Sequence, residues 1–199
     1  MSSIVIRKSQ LATAISALVL SLGAGQALAT GFQLNENSAS GLGNAFAGGA
    51  AATDDSSAMW ANPAALSQFT KIQAAQAIHI ITPSIKFSNN ASLPAANQPL
   101  GGDGGDAGGY NFVPNLYLAV PINAAWTFGI GINAPFGLTT EFDDGWLGRY
   151  QALKSEIKTI NVNPAVSFKV SEAFWLGAGA NFQHLSATLT NNVNYTGAL

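Results

Sequence analysis

The 199-residue sequence carries 9% charged residues and a net charge of −2, against 48% hydrophobic ones. Soluble domains carry about 25% charged residues, so this chain is too charge-poor for an ordinary soluble protein, and its near-neutral balance excludes electrostatic capture of nucleic acid. With no cysteine, a disulfide framework and a thiolate metal site are excluded as well.

The chain opens with a segment that reads as an export signal. Arg7 and Lys8 are followed by an apolar stretch over residues 11–22, then Gly23, Gly25 and the small-x-small site Ala27-Leu28-Ala29. An N-terminal anchor is the alternative, but the apolar stretch is too short to span a bilayer and the glycines interrupt it. Residues 1–29 are therefore expected to be a cleaved signal peptide. Residues 30–69 are rich in Gly, Ala and Ser and free of Lys and Arg. In front of a barrel, such a compact and weakly charged segment suggests a plug. Within it, Asp54-Asp55-Ser56 can cap one short helix. Asn62-Pro63-Ala64 reads either as an N-cap with Pro at the first helical position or as an ordinary turn.

From residue 70 the pattern changes to alternation. Residues 71–87 form a weak first strand with Pro83 inside it, and residues 112–121 a second, with Leu116, Leu118 and Val120 opposed to Asn115, Tyr117 and Ala119. Residues 126–136 are clearest: Trp126, Phe128, Ile130, Ile132, Ala134 and Phe136 on one face, Thr127, Gly129, Gly131 and Asn133 on the other. Residues 157–170 and 174–190 repeat the period. The non-apolar faces hold Asn, Ser, Gly and Gln where a soluble sandwich would place Lys and Glu. Short links at residues 122–125 and 171–172 alternate with long ones at 88–109 and 137–155, as in outer-membrane barrels. About five antiparallel strands fit, and a barrel needs at least ~8. The expected fold is thus an all-β membrane protein: residues 70–199 form the first strands of a transmembrane β-barrel, the N-terminal portion of a longer protein, with residues 30–69 as its partly helical hatch.

These motifs carry a family resemblance. Gly31-Phe32-Gln33-Leu34-Asn35-Glu36, Ser40-Gly41-Leu42-Gly43-Asn44-Ala45, Asp54-Asp55 and Asn62-Pro63-Ala64 resemble the N-terminus of FadL-type outer-membrane transporters. Pro114-Asn115-Leu116, Asn133-Ala134-Pro135-Phe136-Gly137-Leu138, Trp146-Leu147-Gly148-Arg149-Tyr150 and Asn161-Val162-Asn163-Pro164 follow in the family's order. The resemblance implies a barrel of ~14 strands blocked by the hatch, with Gly31, Phe32, Gln33, Asn62, Pro63 and Ala64 as its gating and anchoring residues. It also implies a kink in the third strand at Asn133, Pro135 and Gly137. Pro135 lacks an amide hydrogen and Gly137 tolerates unusual dihedrals, so pairing there can fail and open a lateral gap; alternatively Pro135 merely ends the strand.

For the ligand, Leu185, Ala187 and Leu189 fall on the lumen side of the fifth strand, where a porin would be polar. By resemblance, Leu189 and Phe32 line the fatty-acid site, while Asn191 stands where carboxylate-binding members have a basic residue. Gly101-Gly102-Asp103-Gly104-Gly105-Asp106 resembles one copy of a calcium nonapeptide that binds only in tandem. His79 and His184 lack partners at metal-ligand spacing, and no catalytic motif occurs, so neither metal, cofactor nor enzymatic activity is expected. The resemblance implies an exported channel in the outer membrane of a Gram-negative bacterium, monomeric when complete, facing lipid bilayer and lipopolysaccharide. Its cargo would be hydrophobic: long-chain fatty acids, or alternatively aromatic hydrocarbons. A lipid hydrolase or an adhesive barrel are the readings from other classes.

Overall fold

The computed structural model describes residues 33–51, 53–95 and 97–195, which fall in one compact unit. The expected signal peptide, Gly31 and Phe32 lie outside the described residues. Seven strand segments form one antiparallel sheet: β1 (Gln73–Ile81), β2 (Asn111–Pro121), β3 (Trp126–Asn133), β4 (Gly137–Glu141), β5 (Lys154–Ser171), β6 (Phe174–Gly179) and β7 (Phe182–Thr190). β3 and β4 take consecutive stretches of one edge of β5, and β6 and β7 do the same on its other edge. The expected fifth strand is therefore broken once, and the third ends at Asn133. The stretch expected as a loop over residues 137–155 instead holds β4 and the start of β5, and the first strand stops at Ile81, two residues short of Pro83. The sheet stays open among the described residues.

The two interruptions along β5 differ in kind. In the fifth strand the register is the same before and after it, Val166 opposite Ala178 and Val162 opposite Phe182. Only the rungs at Asn163 and Pro164 are missing. Pro164 accepts from the N–H of Ala180 at 3.0 Å but has no N–H to return. The Asn163 side chain replaces it, donating Nδ2 to the carbonyl of Ala180 at 3.0 Å. In the third strand, by contrast, the register moves. Asn133 stands opposite Asn161 and Gly137 opposite Lys158, so three residues on one strand face two on the other. That is a one-residue bulge.

Alternation separates the two faces of the sheet. Phe112, Leu116, Trp126, Phe128, Ile132, Ile160, Val166 and Val170 are exposed, while Asn115, Tyr117, Thr127, Asn133, Thr159, Asn161, Asn163 and Ser167 are buried. On β5 the outward apolar run, exposed or half-buried, reaches from Val170 to Ile160 and gives way to Lys158, Glu156 and Lys154. Ten residue steps cover about 34 Å along a strand. At a tilt of about 45° this is about 24 Å of height, close to the ~25 Å apolar band of outer-membrane barrels. At the short-turn end, Trp126 and Phe168 pair with ring centroids 4.6 Å apart, where an aromatic girdle belongs.

The inner face is covered by the N-terminal segment. It contains helix α1 (Ala39–Gly43), capped by the Ser38 hydroxyl, and two 3-10 helices, Ser56–Trp60 and Pro63–Gln68. Asp55 caps the first, accepting from the N–H of Ser57 at 2.8 Å. Burial pushes the Asp55 carboxyl up, but bonds from the hydroxyls of Ser57 and Ser40 and the N–H of Ser57 outweigh it and hold it below its ordinary range. Asn62 caps the second helix through the N–H of Ala64, and its own amide donates to the carbonyl of Ala50. Met59, Leu66 and Phe69 then pack on Tyr117, Ala119 and Ala165 of the sheet. Two glycines admit this close approach. A Cβ at Gly129 would come within 2.8 Å of Leu66 Cδ1, and one at Gly177 would collide with the backbone of Pro63 and Ala64.

Candidate functional site

The bulge sits where the wall is weakest. β2 pairs with β3 only as far as Leu116 opposite Ile132, and β4 pairs with β5, so residues 111–115 of β2 and the start of β4 face each other without forming a ladder. Between β3 and β4 lie Ala134, Pro135 and Phe136. Thr159 repairs this stretch from the β5 side: its hydroxyl accepts from the N–H of Phe136 at 2.9 Å and donates to the Phe136 carbonyl at 2.6 Å. One side chain thus replaces two ladder bonds. Below the gap, Asn133 donates to the Tyr117 hydroxyl at 3.2 Å and accepts from Asn161, which also donates to Asn181. This polar row crosses the inner face of β2, β3 and β5 and ends in the break between β6 and β7.

Residues 33–36 lie across the opening. Gln33 forms an antiparallel bridge with Phe136, and the N–H of Leu34 donates to the carbonyl of Pro135 at 2.9 Å. On the opposite rim, Asn115 Nδ2 donates to the carbonyl of Glu36 at 2.8 Å. The segment therefore acts as a strap bonded to both rims, in the place a neighbouring strand would occupy. A cleft of about 1220 Å³ runs through the gap. Its walls include Leu34, Ile78, Phe112, Leu116, Ile132 and Phe136, and Lys154, Glu156 and Lys158 lie at its margin. Residues of both faces line it, as expected of an opening that passes through the sheet.

The bulge also reverses side-chain parity in the residues beyond it. Leu138 and Thr140 of β4 stand opposite Ile157 and Ser155, in phase with the buried Thr159, so the outward run that begins at Trp126 does not continue past Ile132 into β4. Gly137, at the start of β4, lies against the strap. It is absent from the positive-φ positions, and its smallness is used instead: a Cβ there would lie 3.2 Å from Leu34 Cδ1.

At the long-loop end, β7 places Leu185 opposite Thr159, Ala187 opposite Ile157 and Leu189 opposite Ser155, all on the inner side. Leu138, Ile157 and Ala187 form a row across three strands, with Leu185 and Leu189 beside it. The outer side at the same height is polar, with Lys154, Glu156 and Lys158 next to Thr190, Thr188 and Ser186. Polarity is thus inverted above Ile160: wet outside, apolar inside. Leu185 and Leu189 remain exposed, at 56% and 75%, so the described residues leave this surface uncovered. Leu138 and Ile157 belong to it as well, and the signal for Leu138 was the bulge, which alternation within one strand does not reveal.

The other residues fall elsewhere. Asn62, Pro63 and Ala64 anchor the second 3-10 helix against Gly177, away from the gap. Asn191 donates to the carbonyl of Tyr150 at 3.2 Å. In the glycine-rich loop, Asp106 accepts from Ser84 Oγ and the N–H groups of Ile85 and Gly108, and these bonds hold its carboxyl below the ordinary range.

A family model described as "Outer membrane protein transport protein (OMPP1/FadL/TodX)" matches residues 20–198. The chain belongs to this family. Among FadL-family relatives, Outer membrane protein P1 of Haemophilus influenzae is 34% identical over 186 residues, covering 88% of this chain and 40% of that protein. The long-chain fatty acid transport protein of Escherichia coli (strain K12) is 31% identical over 187 residues, covering 92% of this chain and 39% of that protein. The crystal structure of a Pseudomonas aeruginosa FadL homologue matches with a TM-score of 0.65 at 32% identity, over 80% of this chain and 39% of that one. The chain thus spans about two fifths of the length of the FadL-family proteins it matches.

Proposed function

We propose that this chain is the N-terminal part of an outer-membrane channel for passive, non-enzymatic uptake of hydrophobic molecules, long-chain fatty acids foremost. In this reading residues 1–29 are removed on export, residues 30–69 are the hatch, and residues 70–199 begin the barrel. Cargo enters at the long-loop end, where Leu138, Ile157, Leu185 and Leu189 offer an apolar inner surface. Withdrawal of the strap then lets it leave sideways through the gap into the bilayer. The energetics favour such a route. An aqueous exit would cost about 0.8 kcal/mol per methylene, on the order of 10 kcal/mol for a long acyl chain, and a lateral one avoids that cost.

The observation that carries this reading is the gap itself, with the strap held across it by Gln33 and Leu34. A second reading keeps the mechanism and changes the cargo. Asn191 is neutral and its amide is engaged by Tyr150, which supports a cargo without a carboxylate, such as an aromatic hydrocarbon.

A disulfide tests the gate. The Leu34-to-Pro135 bond makes Gln33 and Phe136 a non-hydrogen-bonded antiparallel pair, whose Cα atoms lie about 4.5 Å apart, within the range a disulfide spans. The double variant Gln33→Cys with Phe136→Cys should take up fatty acid when reduced and stop when oxidised. Equal uptake in both states, with the cross-link complete, would remove strap withdrawal from the mechanism.

A further inference from the structure

The two rims of the gap hold the strap by different chemistry. At strand three the contact is backbone to backbone, the N–H of Leu34 to the carbonyl of Pro135. At β2 it is made by a side chain, Asn115 Nδ2 to the carbonyl of Glu36. Asn115 is the first residue beyond the last β2–β3 pair, Leu116 with Ile132. Continued by one step, that register would set it opposite Asn133. Instead the two amides diverge. Asn133 turns to Tyr117 and Asn161, inside the paired region, while Asn115 turns to the strap.

Asn115 is 4% exposed. A buried primary amide needs partners for its donors, and a backbone carbonyl can be held only by a donor. An acidic side chain of the same shape would present an oxygen to the Glu36 carbonyl and repel it. Position, burial and donor chemistry therefore agree. We propose that Asn115 is the second latch of the gap, a positioning residue whose amide holds Glu36 and fastens the strap to the β2 rim. The proposal rests on the strap being the gate described above, and it adds a direction to the opening. With this latch released, the strap is still held at Gln33 and Leu34, so it swings away from β2 first, with strand three as its hinge side.

Residues 1–199 contain no cysteine, and labelling of the intact protein without an introduced thiol supplies the background against which each introduced one is read. Glu36→Cys and Gln33→Cys are made separately in the intact protein, and the rate of maleimide labelling is read in outer membranes. Adding Asn115→Asp should speed labelling at position 36 roughly three- to tenfold, the effect of losing one such hydrogen bond, and change position 33 by less than twofold. Asn115→Ala serves as the second variant, and heat-modifiable gel mobility reports barrel assembly for both. Unchanged labelling at position 36 in an assembled variant overturns the latch, and so does an equal rise at both positions, which signals general loosening. Failure of both variants to assemble would also overturn it, because a latch on the strap is not required to build the barrel. Fatty-acid uptake measured in parallel separates the two ideas: faster labelling at position 36 with unchanged uptake keeps the latch and refutes the gate.

Discussion

Replacing Thr159 with valine removes one hydroxyl and leaves the shape of the side chain nearly unchanged. That hydroxyl serves both backbone groups of Phe136, at 2.9 and 2.6 Å, and Thr159 is 7% exposed. The variant Thr159→Val therefore leaves an N–H and a carbonyl without partners beside a buried apolar group. Each orphaned group costs about 1–3 kcal/mol when fully buried. Phe136 itself is only partly buried, and water entering the cleft would restore some of this, which sets the expected loss at about 2 kcal/mol, near the lower end of the combined range. Guanidinium unfolding of the intact protein in detergent, followed by tryptophan fluorescence, is the assay. Thr159→Ser is the control, since it keeps the hydroxyl and drops only a methyl group. If Thr159→Val unfolds with the wild-type midpoint, or if serine and valine lower the midpoint equally, the hydroxyl is not what supports the bulge.

Two further outcomes rest on the packing of the N-terminal segment. Gly177→Ala places a methyl group against the backbone of Pro63 and Ala64, which cannot rotate aside as a side chain would; the second 3-10 helix should shift off β6, raising single-channel conductance in planar bilayers, and unchanged conductance would show that the segment tolerates the displacement. Asp55 has its folded-state pKa depressed below 3.8. Its capping contribution is therefore fully present above the unfolded value of about 3.9 and is lost as pH falls through the lower folded one. Trp60 fluorescence, with the other tryptophans changed to phenylalanine, should show an acid transition in that window. Asp55→Asn should remove the transition, and its persistence in that variant would assign the titration to another group.

Much of this architecture is written locally in the chain. Alternation at residues 126–133 and 160–170 determines which side faces lipid, and the length of the apolar run on β5 determines how much membrane it crosses. The caps are equally local: Ser38, Asp55 and Asn62 bond to N–H groups two or three residues away. Parity also places Leu185 and Leu189 on the inner side, because side-chain direction is a property of one strand. Register is not such a property. It is a relation between two strands, and the bulge at residues 134–136 exists only in the comparison of three residues with the two they face on β5. For the same reason the inward turn of Leu138 and the role of Thr159 could not be read from their neighbours. The strap depends on still longer reach: residues 33–36 meet Asn115 and Pro135 across 79 and about 100 residues of chain. The sequence by itself determined a charge-poor, alternating wall and a capped segment small enough to pack against it. Only the tertiary structure decided where that wall is left unpaired and which backbone groups hold the N-terminus across the opening, because hydrogen-bond partners far apart in sequence become defined only once the strands are in register.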